Sequence, residues 1–171
     1  EEDRAQLEVV RTNANRMLRM MNQILDFRKM QSNKMRLKVQ KTKLGAFVAS
    51  CSSNFLRLAE DRHINFTIKD HTEGATFWID RDKVDTLMFN LLSNAFKFTG
   101  EGKNISVDIR VENGDCVVSV ADEGCGMPKD KLSVIFDRYA TLQNYSLTKQ
   151  SGTGIGLSLV KEIVELHHAS I

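Results

Sequence analysis

No uninterrupted apolar run in the 171 residues approaches the roughly 20 that a membrane span needs. No basic-then-apolar secretory leader opens the chain either. Basic excess is also missing: the formal net charge is only +2, which argues against a dedicated nucleic-acid surface, normally visible as clustered Lys and Arg. Cysteine is scarce and unpatterned. Cys51, Cys116 and Cys125 form no C-x-x-C pair, so they offer neither a zinc site nor a disulfide framework and fit a reducing compartment such as the cytoplasm. Proline occurs once, as Pro128, where a helix over 128–136 can begin. Repeats and low-complexity tracts are absent. What remains is a chain that is 42% apolar and 27% charged, enough for one ordinary domain with a core and an appendage.

The appendage is legible first. Over residues 5–31, Leu7, Ala14 and Met21 recur every seven residues, as do Val10, Met17 and Ile24, and Leu18 and Leu25 widen the stripe. That apolar face is too broad for a lone helix and reads as one member of a bundle. After Ser32-Asn33 the pattern turns mixed. Met35, Leu37 and Val39 alternate as a short strand, and Leu44 through Ala59 follow helical spacing, including Phe55 and Leu58. Ile64, Phe66 and Ile68, then Ala75, Phe77 and Ile79, alternate as strands. Asp80 is placed to cap a long helix. Ile105–Val111 and Cys116–Ala121 flank Asn113-Gly114, a type I′ hairpin signal. A last helix is expected from about 154 to 167. Helices and strands mix irregularly, so the class is α+β.

The long helix carries an unusual line. In N-L-L-S-N-A-F-K-F-T, residues 90–99, Asn90, Asn94 and Lys97 fall within roughly 60° on one helical stripe. They run beside an expected core stripe of Val84, Leu87, Leu91, Ala95 and Phe98. A buried amide without a partner costs about 1–3 kcal/mol, so these side chains bond either to neighbouring backbone or to a polar ligand. Three other stretches suit a nucleotide. Asp122-Glu123-Gly124-Cys125-Gly126 offers an acceptor for an exocyclic amine and a backbone that a ring can approach, or else is an ordinary turn. Gly152-Thr153-Gly154-Ile155-Gly156-Leu157 opens the last helix and presents N–H groups and a positive dipole end to phosphate. It is neither the dinucleotide-binding fingerprint nor a P-loop. Arg138, in Ile135-Phe136-Asp137-Arg138-Tyr139, could reach a phosphate or lie on the surface. The aperiodic 139–151 stretch is long for a compact domain and suggests a lid.

Taken in order, N-L-L-S-N-A-F-K-F-T, D-E-G-C-G, I-F-D-R-Y and G-T-G-I-G-L-S-L-V-K resemble the N, G1, F and G2 boxes of sensor histidine kinases. Upstream, A-N-R-M-L-R-M-M-N-Q-I-L-D-F-R-K is similar to the second helix of their dimerisation and phosphoacceptor hairpin, most of all in hybrid sensor kinases that couple glycan sensing to gene regulation. The resemblance implies a Bergerat ATP-binding sandwich with a mixed sheet over 35–171, preceded by one long bundle helix over 1–34. It implies ATP and Mg²⁺ as ligands, with Asn94 on the metal, Asn90 supporting the metal and phosphate shell, and Lys97 and Arg138 on phosphate. Asp122 would accept from the adenine amine against Gly124 and Gly126, while Gly152, Thr153, Gly154, Ile155, Gly156 and Leu157 would wrap the phosphates. It also implies a homodimer through the N-terminal helix, a response-regulator receiver domain as partner, and the cytoplasmic part of an inner-membrane sensor, with no nucleic-acid or membrane contact by this chain. Tyr139 replaces the phenylalanine more usual in its box.

The phosphoacceptor His-Glu helix of such kinases is missing, so no catalytic residue is expected here. His63, His71, His167 and His168 lack that setting and read as surface or capping histidines. The chain also stops where the family has further strands, as a piece of a longer protein would. A superfamily ATP hydrolase is the competing enzyme, but those carry a glutamate at the position of Asn90 to activate water, and an amide takes no proton from water at neutral pH. A nucleotide-binding or dimer module without transfer activity is the third reading.

Overall fold

The computed structural model describes residues 36–137 and 154–171, together with Val10, Ala14, Met17, Leu18, Met21, Leu25 and Arg28 near the N-terminus. The chain divides into two compact units, Glu1–Arg36 and Leu37–Ile171. In the first, the seven described residues before Arg36 are all helical. Val10, Met17, Leu18, Met21 and Leu25 recur at spacings of three, four and seven and are each more than half exposed, an apolar stripe with little cover.

The second unit begins with strand β1 (Gln40–Lys43), helices α1 (Leu44–Ser53) and α2 (Leu56–Asp61), and strands β2 (Asn65–Asp70) and β3 (Thr76–Ile79). Helix α3 (Arg81–Phe98), strands β4 (Asn104–Glu112) and β5 (Asp115–Asp122), a single 3₁₀ turn (Lys129–Lys131) and helix α4 (Gly156–Leu166) follow. β1 and β3 pair antiparallel as a two-stranded sheet. The other sheet has the order β2-β4-β5, with β2 parallel to β4 and β4 antiparallel to β5. A mixed sheet is therefore present, and the class is α+β. The β4–β5 turn follows from local chemistry, since Asn113 (φ 52°) and Gly114 (φ 91°) both take the left-handed backbone a type I′ turn demands.

Alternation in β4 sends Ile105, Val107 and Ile109 into the core, where they meet Val48, Met88, Leu92 and Phe96. Phe96 is central. Its ring stacks on Phe55 at 5.4 Å and meets Phe66 edge-on at 5.2 Å, tying α3 to the α1–α2 junction and to β2. Burial pushes the Cys51 thiol up to about 12, and a hydrogen bond that the thiol donates to the Asp85 carboxylate adds to the effect. That thiol is inert packing.

Four expectations need correction. The strand expected through Leu37 and Val39 forms instead at Gln40–Lys43, because the Lys38 N–H is drawn to Asp80 Oδ2 at 2.7 Å before pairing begins. The helix expected across 44–59 is two helices. Ser52 and Ser53 hydroxyls bond back to the carbonyls of Val48, Ala49 and Ser50, and the Phe55 N–H closes onto Ser52 O at 3.0 Å, which breaks the ladder and leaves Leu58 exposed. The deepest stripe of α3 is Val84, Met88, Leu92, Ala95 and Phe96; Leu87 and Leu91 are half-buried and Phe98 is exposed. Finally, Pro128 starts only the 3₁₀ turn and further turns. Their bonds run to the third residue back, as in Lys131 N–H to Pro128 O at 2.9 Å, and Leu132 and Val134 stay exposed, so no apolar face rewards an α-helix.

Candidate nucleotide site

α3 organises the site, and Asp80 starts it. Its Oδ1 accepts from the Lys83 N–H at 3.2 Å as an N-cap, while its own N–H donates to His167 Nε2 at 3.1 Å. His167 Nδ1 faces Ile163 O at 2.7 Å, so this imidazole is a clasp between the start of α3 and the end of α4, with both ring nitrogens in use. The capping expectation for His167 holds, and the clasp was not readable from the sequence. His71 lies beside Asp108 at 3.5 Å on the exposed side of β4, and His63 and His168 are exposed.

Asn90 is buried at 5% exposure, and its Nδ2 donates to Thr86 O at 2.7 Å. The backbone reading is thus right for one half of that amide. The other half faces α4: a Cβ added to Gly156 would lie 2.7 Å from Asn90 Oδ1, so only glycine lets the start of α4 come this close. Asn94, one turn on, is half-buried, and its side chain has no hydrogen-bond partner among the described residues. Lys97 is half-buried, with its ammonium 4.9 Å from the centre of the Phe98 ring.

The second motif packs on the far end of the same helix. A Cβ on Gly124 would stand 2.9 Å from Phe98 O and 3.2 Å from the Phe98 carbonyl carbon. The glycine therefore brings the loop backbone directly onto the end of α3. Asp122 is exposed, and its Oδ1 accepts the Gly124 N–H at 2.8 Å, which leaves the second carboxylate oxygen without a partner among the described residues. Glu123 holds the loop from the other side. Its Oε2 accepts from Asn104 N and Nδ2 at 2.9 and 2.8 Å, its carbonyl accepts from Lys103 Nζ, and these Asn104 bonds keep its carboxyl below the usual range. Sequence reasoning missed Glu123, whose only signal is its place between Asp122 and Gly124. Gly126 and Gly154 both have φ near +67°. Ile155 caps α4, its carbonyl accepting from Ser158 Oγ and Leu159 N, and Gly156 and Leu157 form the first turn. Arg138, Tyr139, Gly152 and Thr153 and the 139–151 stretch lie outside the described residues.

Residues 79–171 match the family model for histidine kinase-, DNA gyrase B- and HSP90-like ATPases. The chain belongs to that ATPase family. Among relatives, it is 35% identical to hybrid signal transduction histidine kinase D of Dictyostelium discoideum, over 98% of this chain and 11% of that protein. It is also 35% identical to the sensor histidine kinase TmoS of Ectopseudomonas mendocina, over 96% of this chain and 17% of that one. The chain thus spans under a fifth of the length of these relatives. The solved catalytic domain of the histidine kinase ThkA superposes with a TM-score of 0.66 at 26% identity, covering 75% of this chain and 81% of that domain. With its helices and mixed sheet, the chain has the fold of histidine kinase catalytic domains.

Family membership implies nucleotide binding. The residues present also fit a hard divalent cation. Asn94 offers an uncommitted carbonyl oxygen, the donor type that Mg²⁺ prefers. Among the described residues no three His, Cys, Asp or Glu side chains converge into a cage of their own, and Mg²⁺ characteristically takes one or two protein ligands plus substrate phosphates.

Proposed function

We propose that residues 35–171 bind Mg²⁺–ATP and, within a longer sensor kinase, deliver the γ-phosphoryl group to a histidine on a helix outside this chain. The observation that carries this reading is convergence on α3: Asn90 Oδ1 abuts Gly156, and the Phe98 carbonyl abuts Gly124. Three motifs separated by dozens of residues thereby line one helix. In this reading Asp122 accepts from the adenine amine and Gly124 and Gly126 admit the ring. Lys97 and Arg138 meet phosphates, and Gly152, Thr153, Gly154, Ile155, Gly156 and Leu157 wrap them. Asn94 is the protein ligand for Mg²⁺, supported by Asn90; bound Mg²⁺ supplies charge compensation between phosphate oxygens.

Asn90 also bears on the class of reaction. Its amide is buried, bonded to Thr86 O and unable to act as a base, which favours phosphoryl transfer to an imidazole over hydrolysis. The exposed stripe of Met17, Leu18, Met21 and Leu25 suits a second copy of the chain within a helical bundle over 1–34, and a receiver domain is the downstream acceptor. No helix among the described residues is long and apolar enough to cross a membrane. We place this chain in the cytoplasmic part of its protein.

Two experiments test the reading. With γ-labelled ATP, the chain alone is expected to bind nucleotide, hydrolyse it negligibly and take up no acid-labile phosphate. The separately supplied histidine-bearing hairpin of its own full-length protein should become labelled. An in-line nucleophile must sit about 3–3.5 Å from the phosphorus, and His167 is tied into its clasp instead. Stoichiometric label on the chain itself overturns the assignment. For the metal role, Asn94→Asp should leave the melting temperature nearly unchanged. It should weaken metal-free ATP on the order of tenfold and widen the gap between Mg²⁺-containing and Mg²⁺-free affinities, because a charge appears beside the phosphates without a change in size. Identical affinities in both conditions remove Asn94 as a ligand.

A further inference from the structure

The last turn of α3 is held from outside by one side chain. Arg62, the residue that closes α2, directs its guanidinium to the carbonyls of Phe96 and Thr99, the second at 3.2 Å. Helix C-termini leave carbonyls without intrahelical partners and concentrate partial negative charge there, so a cation at this point both satisfies and neutralises them. Phe96 and Thr99 are almost fully buried, which makes the grip a packed one. The two gripped carbonyls bracket Lys97 and Phe98. The Lys97 ammonium rests 4.9 Å from the Phe98 ring, and the Phe98 carbonyl is the surface on which Gly124 packs. A planar fork can hold two carbonyls in fixed relation, which a point charge cannot do.

We propose that Arg62 is a positioning residue for the nucleotide: it never touches the ligand, but sets where Lys97 presents its ammonium to the phosphates. This rests on the reading of Lys97 as a phosphate contact. Removal of Arg62 does not unzip the neighbourhood, because the turn after α2 is separately bonded through Gly102 N–H to His63 O at 2.8 Å and Asn65 N–H to Lys103 O at 2.9 Å.

A double-mutant cycle on the full chain tests the proposal, with Mg²⁺–ATP and adenosine affinities measured by calorimetry. Arg62→Gln should weaken ATP about five- to tenfold, the range of a charge at a helix end in a partly buried setting, and leave adenosine within about twofold. Arg62→Lys, which keeps the charge and loses the fork, should fall between. Lys97→Met should weaken ATP more than Arg62→Gln does, and the double variant should bind no more weakly than Lys97→Met alone. Additive losses, equal losses for ATP and adenosine, or unchanged ATP binding in Arg62→Gln overturn the proposal. If Arg62→Gln does not fold, the same cycle run with Arg62→Lys is judged by the same non-additivity. Wild-type chain that binds no ATP overturns the nucleotide reading itself, a result separate from any of these.

Discussion

Asp122→Asn is expected to weaken ATP binding about a hundredfold while leaving stability within about 0.5 kcal/mol. The carboxylate is exposed, so little folding energy rests on it, but its two oxygens have different work. Oδ1 accepts the Gly124 N–H at 2.8 Å and shapes the turn. The other oxygen is the proposed acceptor for the adenine amine. Asparagine can keep the first bond only by pointing its NH₂ where the second oxygen stood, so that two donors face each other. A hydrogen bond to a charged group contributes about 1.5–3 kcal/mol, and about 2.7 kcal/mol is a hundredfold in affinity. The wild type should bind GTP poorly for a related reason, since guanine presents an oxygen at the amine position. Calorimetry with both nucleotides on both proteins checks this, and equal affinity of the wild type for ATP and GTP counts directly against the role given to Asp122.

Gly124→Ala is expected to cost about 1–3 kcal/mol of stability and more than tenfold in ATP affinity. The added Cβ would sit 2.9 Å from Phe98 O and 2.6 Å from Asp122 Oδ1. The carboxylate could swing away at the expense of its turn. The Phe98 carbonyl cannot yield, because Arg62 grips the carbonyls on either side of it and Phe96 is locked among Phe55 and Phe66. The loop must therefore lift off α3 and take Asp122 with it. Gly126→Ala is the control: nothing lies within 4 Å of its Cβ position, and only the φ of +67° penalises the change, about 1–2 kcal/mol. Denaturant titration on both variants separates a steric effect on stability from backbone strain, and calorimetry on Gly124→Ala reads the loss of ATP affinity. A Gly124→Ala protein as stable as the wild type shows that the contact with α3 is not tight.

Features set by neighbouring residues were legible in the amino-acid sequence. The Asn113-Gly114 turn, the Asp80 cap, the alternation of Ile105, Val107 and Ile109, and the glycine before α4 all follow from what a few adjacent side chains and φ angles allow. So did the order of the four motifs, which pointed to the family before any contact was known. Features set by what packs on what were not legible. Periodicity marks an apolar face but does not say which neighbour covers it. α3 is enclosed on one side by the sheet and α1 and on another by α4, so Met88, Leu92 and Phe96 lie deepest and Asn90 is buried as well. A proline and helix-compatible residues at 128–136 make no α-helix, because Leu132 and Val134 stay exposed and no partner among the described residues covers them. Asp80 meets His167, and Arg62 meets Thr99, only after distant segments have packed. Such pairs leave no spacing in the chain to read, since their partners are chosen by the topology that brings β2 alongside β4 and α4 against α3.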